Sequence, residues 1–250
     1  MKRILVLLIV ILFSADLFAA GKDVYLSWLK SDSPVSRKLG AQGLGKFKDK
    51  DVVESLLKAL EKEKDEKTRA AIVAGLLEIG DDKALSILIE DLPKEKEITR
   101  VEIYKALGVK RDDAKRDVLL KALKKEDRFD VKPAVVYALG EYKDKKILET
   151  LVYELEDPNE EVQIALLNVL ERWGEKTAAA YVLYFFETLY AREREQELTV
   201  GKEVKLAALK ALEKLGNKKI AGGLASLAVN EKNELIKKKI TEVTEALKKK

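Results

Sequence analysis

Cysteine and histidine are both absent from this chain of 250 residues, and proline occurs only four times. Without them the chain has no thiol nucleophile, no imidazole general base, and none of the common ligands of zinc, copper or haem. No alternating strand pattern is evident, so no glycine-rich phosphate loop can follow a strand. We therefore expect no catalytic residue, no metal site and no cofactor, and the composition favours a binding protein over an enzyme.

The N-terminal segment, residues 1–20, differs from the rest of the chain. Lys2 and Arg3 precede an apolar run at residues 4–13, and small residues close the segment at Ala20. This order is typical of a cleaved secretory signal peptide, and the run is about half of the ~20 residues that a spanning helix needs. We expect removal of residues 1–20 and export to the periplasm or the medium. A retained N-terminal membrane tether is the alternative.

Positive and negative charges nearly balance, with a formal net charge of +4. Loss of the segment 1–20 would remove Lys2, Arg3 and Asp16 and leave +3, which argues against a dedicated nucleic-acid binder. The C-terminal region is more basic, because residues 210–250 hold 11 lysines against 5 glutamates. Lys237 to Lys239 and Lys248 to Lys250 could therefore contact a membrane surface, anionic lipid or polysaccharide.

One pattern recurs along the chain at an almost constant spacing. Each copy is anchored on one basic or polar residue, successive anchors are 32, 31, 32, 31 and 42 positions apart, and a leucine follows each anchor by seven positions. The anchors are Arg37, Arg69, Arg100, Lys132, Gln163 and Lys205. The leucines are Leu44, Leu76, Leu107, Leu139, Leu170 and Leu212. A period in this range is typical of a solenoid, in which each repeat buries its apolar face against its neighbours.

Each copy predicts two helices. Apolar residues three, six, seven and ten positions after the anchor share one helical face, and small residues at two of these positions allow close helix packing. The one polar exception at the tenth position is Lys110. An acid or amide then precedes a second helix, which it can cap, in every copy: Asp49, Asp81, Asp112, Asp144, Glu175 and Asn217. Recurrence favours capping over cation binding for pairs such as Asp81 and Asp82.

By these residues the chain resembles the HEAT-repeat superfamily, and more narrowly the short HEAT-like repeat of phycobilin lyases; Arg69 to Asp81 match that repeat best. The resemblance implies an all-α fold, a right-handed α-solenoid of about six to seven two-helix repeats over residues 21–250, like an armadillo superhelix. We predict capping helices at residues 22–30 and 234–247. The resemblance says little about function, and the histidine-dependent di-iron hydroxylases of the superfamily cannot be the match.

The outward side of the second helices is the predicted binding face, on the side that is usually concave in a solenoid. Reading the equivalent positions along the copies gives candidate partner-binding residues that turn aromatic in the fourth and fifth copies: Lys58, Glu90, Lys121, Tyr153, Tyr181 and Tyr184. Phe185 and Tyr190 lie nearby in the sequence and are expected to join this surface. Tyrosine is enriched at recognition hot spots because it offers a large, rigid contact area with one polar group.

The fifth copy is longer than the others by about ten residues, which places an insertion near residues 187–201. We expect it to extend the second helix or to form a flap, and the tyrosines could pack beneath it instead of binding a partner. The sequence thus favours an exported, non-enzymatic scaffold that binds a protein or peptide on its concave face. The alternative is an envelope module that docks on anionic lipid or polysaccharide through its basic C-terminal end.

Overall fold

The computed structural model describes residues 21–109, 112–196 and 200–250, without the side chains of Arg194 and Gln196. The proposed signal peptide and Lys110 lie outside these residues. The described chain contains fourteen α-helices and no strand, and after α1 (Lys22–Leu29) the helices alternate between first and second helices of six repeats. The first helices are α2 (Pro34–Leu44), α4 (Glu66–Ile79), α6 (Glu97–Val109), α8 (Lys132–Leu139), α10 (Glu160–Trp173) and α12 (Lys202–Leu215), and α14 (Glu234–Lys248) ends the chain. The second helices are α3 (Lys50–Lys62), α5 (Asp82–Asp91), α7 (Asp113–Lys125), α9 (Lys145–Tyr153), α11 (Ala179–Gln196) and α13 (Ala221–Asn230).

The helices form two compact units, with the border after Ile103, inside α6. In the first unit, α1 packs on α2, α2 packs on α4, and α3 packs on α4. In the second unit the first helices α8, α10, α12 and α14 each contact the next, and α7, α11 and α13 each pack on the first helix that follows them. This all-α solenoid architecture confirms the predicted fold class.

Glycines allow the close helix contacts in the first unit. A Cβ atom added to Gly40 would lie 2.6 Å from the backbone nitrogen of Leu29, and one added to Gly75 would lie 2.7 Å from the carbonyl oxygen of Ala41. These distances are too short for a real Cβ atom, so a larger residue would force α1 or α4 away from α2. The small positions of the repeat pattern are therefore explained by helix packing.

The evenly spaced leucines of the pattern form the core. All six leucines that follow the anchors by seven positions are at most 1% exposed. In the fifth repeat the second helix adds Val182 and Phe186, both fully buried. Burial of each such side chain contributes roughly 1.5–3 kcal/mol, so the apolar face of each repeat supplies most of its stability.

Capping of the second helices is confirmed at four of the six predicted residues. The side chains of Asp81, Asp112, Asp144 and Asn217 each accept a hydrogen bond from a backbone amide of the helix or 3₁₀ turn that follows. Asp49 and Glu175 make no such bond, so the prediction was wrong there. Asp49 instead lies 3.3 Å from Lys22 Nζ, and Glu175 precedes a 3₁₀ turn at Lys176–Ala178.

Two details at helix starts also differ from the sequence prediction. The places of Val24, Tyr25 and Trp28 relative to Arg37 predict that they form the apolar face of the N-terminal capping helix. In the structure the buried residues of this helix, α1, are Tyr25 and Leu29, and Val24 is exposed. The sequence also predicts a helix start at Asp157. In the structure α10 begins at Glu160, and Asn159 is its N-cap, with a side chain that accepts from two backbone amides.

The repeat anchors form ion pairs that the sequence analysis did not predict. The guanidinium of Arg37 donates to both carboxylate oxygens of Glu63, at 2.7 and 2.9 Å, and Arg69 makes the same paired contact with Glu95. Lys132 and Lys205 repeat the arrangement with acids at the equivalent place, Asp157 and Glu231. In each case the acid lies 25 or 26 positions after its anchor, in the turn that follows the second helix.

The anchors also satisfy carbonyl oxygens of the preceding repeat. Arg37 Nη1 donates to the carbonyl oxygens of Ser31 and Asp32, and Arg69 Nη1 donates to that of Leu60. In the fifth repeat, Gln163 keeps only this contact and donates to the carbonyl oxygen of Asp157 at 2.6 Å. The buried Leu189 occupies the place of the acid in this repeat, so the cation and its acid are replaced together and no charge is left unpaired.

Acid should weaken the first of these ion pairs in a predictable way. Hydrogen bonds from Arg37 lower the pKa of Glu63, and backbone amides of Asp65 and Lys64 add to this effect against the opposing effect of burial. Because the pKa is lower in the folded state, the resulting stability is present above the unfolded-state pKa of about 4.3 and is lost as the pH falls through the folded value. We expect Glu63→Gln to be less stable at pH 7 but to lose less stability than the wild type between pH 5 and pH 3. Urea unfolding across this range measures the difference, and exposed Glu61→Gln, with a profile parallel to the wild type, is the control; parallel profiles for Glu63→Gln would contradict the prediction.

Candidate functional site

Three tyrosines, Tyr153, Tyr181 and Tyr184, form what we call the tyrosine surface. Tyr153 on α9 and Tyr184 on α11 occupy equivalent outward positions, and Tyr181 lies three positions before Tyr184. Tyr153, Tyr181 and Tyr184 are 82%, 56% and 61% exposed. No other aromatic ring in the described ranges is as exposed. Their exposure follows from the helical period, because the residues beside them, Leu151 on α9 and Val182 on α11, point into the core.

The other candidate residues also point to solvent. Lys58 and Glu90 are exposed on α3 and α5 of the first unit, and Lys121 is exposed on α7 of the second. Their orientation therefore agrees with the predicted outward side of the second helices. Whether they and the tyrosines bind a partner stays a prediction.

Two aromatic residues that the sequence places beside the tyrosine surface do not belong to it. Phe185 and Tyr190 are buried, because they lie on the face of α11 that carries Phe186. Tyr190 packs edge-on against Phe186, with ring centroids 5.4 Å apart. Tyr190 follows Phe186 by four positions and so shares its buried face. Phe185 follows Tyr181 by four positions and lies at the edge of that face, so the helical period alone did not show that it is buried.

The insertion lengthens α11, as one of the two predictions had it. The helix continues to Gln196, and residues 197–199 lie outside the described part of the chain. The rings of Tyr181 and Tyr184 are more than half exposed, so the described part of the insertion does not cover them. Within the described residues, therefore, the side chains of Tyr181 and Tyr184 do not pack beneath the insertion.

A cleft of about 960 Å³ lies beside the extended helix α11. It is lined by residues of α11, α12 and α13, and by the turn before α14, including Tyr190, Glu193, Lys205 and Glu231. Lys205 Nζ lies 2.9 Å from Glu193, 3.0 Å from Glu231 and 4.4 Å from the centre of the Tyr190 ring. Glu193 comes from the inserted segment of the fifth repeat, so this segment adds a second carboxylate to the ion pair that Lys205, the anchor of the sixth repeat, makes with Glu231.

The charges in this cleft neutralise one another. Burial raises the pKa of Tyr190 well above its usual value, and the hydrogen bond that it donates to Glu231 at 2.6 Å acts in the same direction. Burial on its own would raise the pKa of Glu231, but hydrogen bonds from Tyr190, the Asn233 amide and Lys205 together lower it. The network thus holds a protonated phenol, an ionised carboxylate and an ammonium group in mutual contact, which favours a structural role.

The basic C-terminal end is partly neutralised by acids. Lys239 lies 2.9 Å from Glu213, and Lys248 lies 2.7 Å from Glu245. Lys237 and Lys238 are exposed on α14. The surface available to an anionic partner is therefore smaller than the lysine count of the sequence implies.

The described residues contain no group of three or more acids placed to hold a metal ion. Among these residues, too, no helix combines the length and the apolar character that crossing a membrane requires. The acid pairs of the sequence, such as Asp112 and Asp113, lie at helix starts, where Asp112 acts as a cap.

Residues 23–108 match the family model for HEAT repeats. Several solved structures are similar over most of their length. The Escherichia coli protein YibA has a TM-score of 0.58 at 20% identity, covering 93% of this chain and 84% of that one. The phycocyanin lyase complex of CpcE and CpcF from Nostoc sp. PCC7120 has a TM-score of 0.50 at 18% identity, covering 91% of this chain and 95% of that one. An engineered protein has a TM-score of 0.52 at 18% identity, covering 94% of this chain and 70% of that one.

These identities are low, so the similar structures support the fold alone. No curated protein sequence gives a significant match.

Proposed function

We propose that this chain, of which residues 23–108 match the model for HEAT repeats, is an exported, non-enzymatic scaffold that binds a protein or peptide. The observation that carries the proposal is the exposure of Tyr153, Tyr181 and Tyr184 on the outward sides of two second helices. Tyr181 and Tyr184 are three positions apart and so are neighbours on α11, and exposed apolar side chains that cluster mark interaction sites. The predicted concave face of the solenoid is where such a row would meet a partner.

The chemistry of the chain supports a binding role over catalysis. Histidine and cysteine are missing from the sequence, and the charged groups of the cleft beside α11 already pair with one another. The similar phycocyanin lyase structure is a complex of CpcE and CpcF, so a chain of this fold assembles with another protein there. Export rests on the composition of residues 1–20, and detection of the protein in a periplasmic or secreted fraction tests it.

The triple variant Tyr153→Ala, Tyr181→Ala, Tyr184→Ala is expected to abolish capture of the partner in a crosslinking experiment on intact cells. Hot-spot tyrosines contribute about 2 kcal/mol or more each, so the loss of three should weaken binding by more than a thousandfold. The melting temperature should change little, because exposed side chains contribute within about 0.5 kcal/mol each.

The control is the double variant Phe129→Ala, Tyr137→Ala, which removes two exposed aromatic rings that lie on a loop and on the first helix α8. It should capture the partner as well as the wild type does. Capture that the triple variant retains would contradict the proposal. If that capture disappears at high salt, docking through the C-terminal lysines becomes the better explanation.

A further inference from the structure

Carboxylates, and no cations, lie next to the tyrosine surface on its own helices. Glu149 precedes Tyr153 by one helical turn, and Glu187 follows Tyr184 by three positions. Glu156 follows Tyr153 by three positions and lies in the 3₁₀ turn after α9. All three carboxylates are on exposed residues. Residues three or four positions apart are neighbours on a helix surface, and no lysine or arginine occupies such a position around any of the three tyrosines.

These three carboxylates have no ion-pair partner in the ranges that the structure describes, whereas two acids close to them in the sequence do. Glu154 lies 3.5 Å from Lys132, and Glu193 lies 2.9 Å from Lys205. These acids are thus available to pair with a cation of a partner, although Lys145 and Lys146, four and three positions before Glu149, reduce the negative potential there. Their negative potential adds to that of the electron-rich ring faces.

We propose that the partner presents arginine side chains to this surface, as an extended segment of a peptide or protein. A guanidinium group can stack on a tyrosine ring and pair with a neighbouring carboxylate at the same time, which fits Tyr153 with Glu149 and Tyr184 with Glu187. Lysine has the charge but not the planar group that stacks. This inference names the partner of the surface described above and therefore rests on the proposed function.

Other charges on the same side limit where the arginines bind. Lys146 lies two turns before Tyr153 on α9. Lys121 is exposed on α7, at the position equivalent to that of Tyr153 on α9. Both would repel a guanidinium group. The arginines are therefore expected opposite the C-terminal end of α9 and the middle of α11, and a partner segment that continues toward α7 should carry an acidic or neutral residue there.

A library of random dodecapeptides displayed on phage tests this directly. The library is selected on the purified wild-type protein and, in parallel, on the triple alanine variant of the tyrosine surface. We expect peptides enriched only on the wild type, with arginine more frequent than in the starting library. Enrichment that depends on the tyrosines but lacks arginine would overturn this inference and leave the proposed function intact. Enrichment that does not depend on the tyrosines would overturn both.

Binding measurements with the most enriched peptide then distinguish the effect of the arginine charge from the effect of its planar shape. Replacing its arginines with citrulline, which keeps the planar group and removes the charge, should weaken binding at least tenfold. The protein variant Glu149→Gln, Glu187→Gln should bind the arginine peptide about fivefold more weakly or worse. The control Glu203→Gln, Glu234→Gln removes two exposed acids from first helices and should bind unchanged. Equal affinity for the arginine and citrulline peptides would contradict the inference.

A second copy of this chain is the other candidate occupant, and sedimentation velocity distinguishes it. The wild-type protein should sediment as the same species as the triple alanine variant at micromolar concentration. A dimer that disappears when the three tyrosines are replaced would mean that the surface binds another copy, and it would overturn the assignment of an arginine-bearing partner.

Discussion

Replacing Lys205 with methionine is expected to lower the free energy of unfolding by about 3 kcal/mol. The ammonium group is buried, and it is the cation that pairs with both Glu193 and Glu231. Its removal leaves two carboxylates in a partly desolvated site, with only Tyr190 and backbone amides to bond them. The cost comes mainly from these unpaired acids, because methionine keeps nearly the volume of the lysine stem.

The measurement is chemical unfolding followed by circular dichroism, with Lys210→Met as the matched control. Lys210 lies on the same helix, is 64% exposed, and has its Nζ 3.6 Å from Glu171, so its replacement should cost less than about 0.5 kcal/mol. The double variant Lys205→Met, Glu231→Gln should be more stable than the sum of the two single changes predicts. A destabilisation of Lys205→Met that equals that of the control would show that the cleft network is solvated.

Replacing Phe186 with alanine is expected to destabilise the protein by about 3–5 kcal/mol. Phe186 is fully buried on α11 and is among the largest side chains without exposure, so its removal leaves a cavity that its neighbours cannot close. For a chain of this size the melting temperature should fall by roughly 6–20 °C. Repeat proteins unfold in parts when one repeat is weakened, so the transition should also broaden.

Tyr184→Ala is the matched control for this change. It removes an aromatic ring two positions away on the same helix, but that ring is 61% exposed, so the stability should change by less than about 0.5 kcal/mol. A similar melting temperature for Phe186→Ala and the wild type would mean that α11 does not contribute to the core. A large loss in Tyr184→Ala would mean that the tyrosine surface is structural, which would also contradict the proposed function.

The repeat architecture was predictable from the sequence because the solenoid core uses short-range periodicity. Leu44, Leu139 and Leu212 lie at the same place in their repeats, and helical spacing alone places them inside. The outward orientation of Tyr153 and Tyr184 follows from the same period. Periodicity does not show which side chains form ion pairs or hydrogen bonds across a turn, because these contacts depend on the direction of the chain after each helix.

The pairing of each anchor with an acid was missed for this reason, although a signal was present. Glu63, Glu95, Asp157 and Glu231 each follow a basic anchor at an almost constant spacing, which varies by a single position. A search for opposite charges at a fixed spacing would have found them. The cleft beside α11 was not predictable, because Glu193 reaches Lys205 only through the helical extension in the one repeat that departs from the period.

The position of these ion pairs affects how such a chain can change its length in evolution. The cation and the acid of each pair belong to the same repeat, as with Arg69 at the start of α4 and Glu95 after α5. A gene duplication or deletion of whole repeats therefore adds or removes both charges together and leaves none buried alone. A recombination breakpoint between Arg69 and Glu95 would separate them, so viable rearrangements should have their ends in the turns just before the first helices.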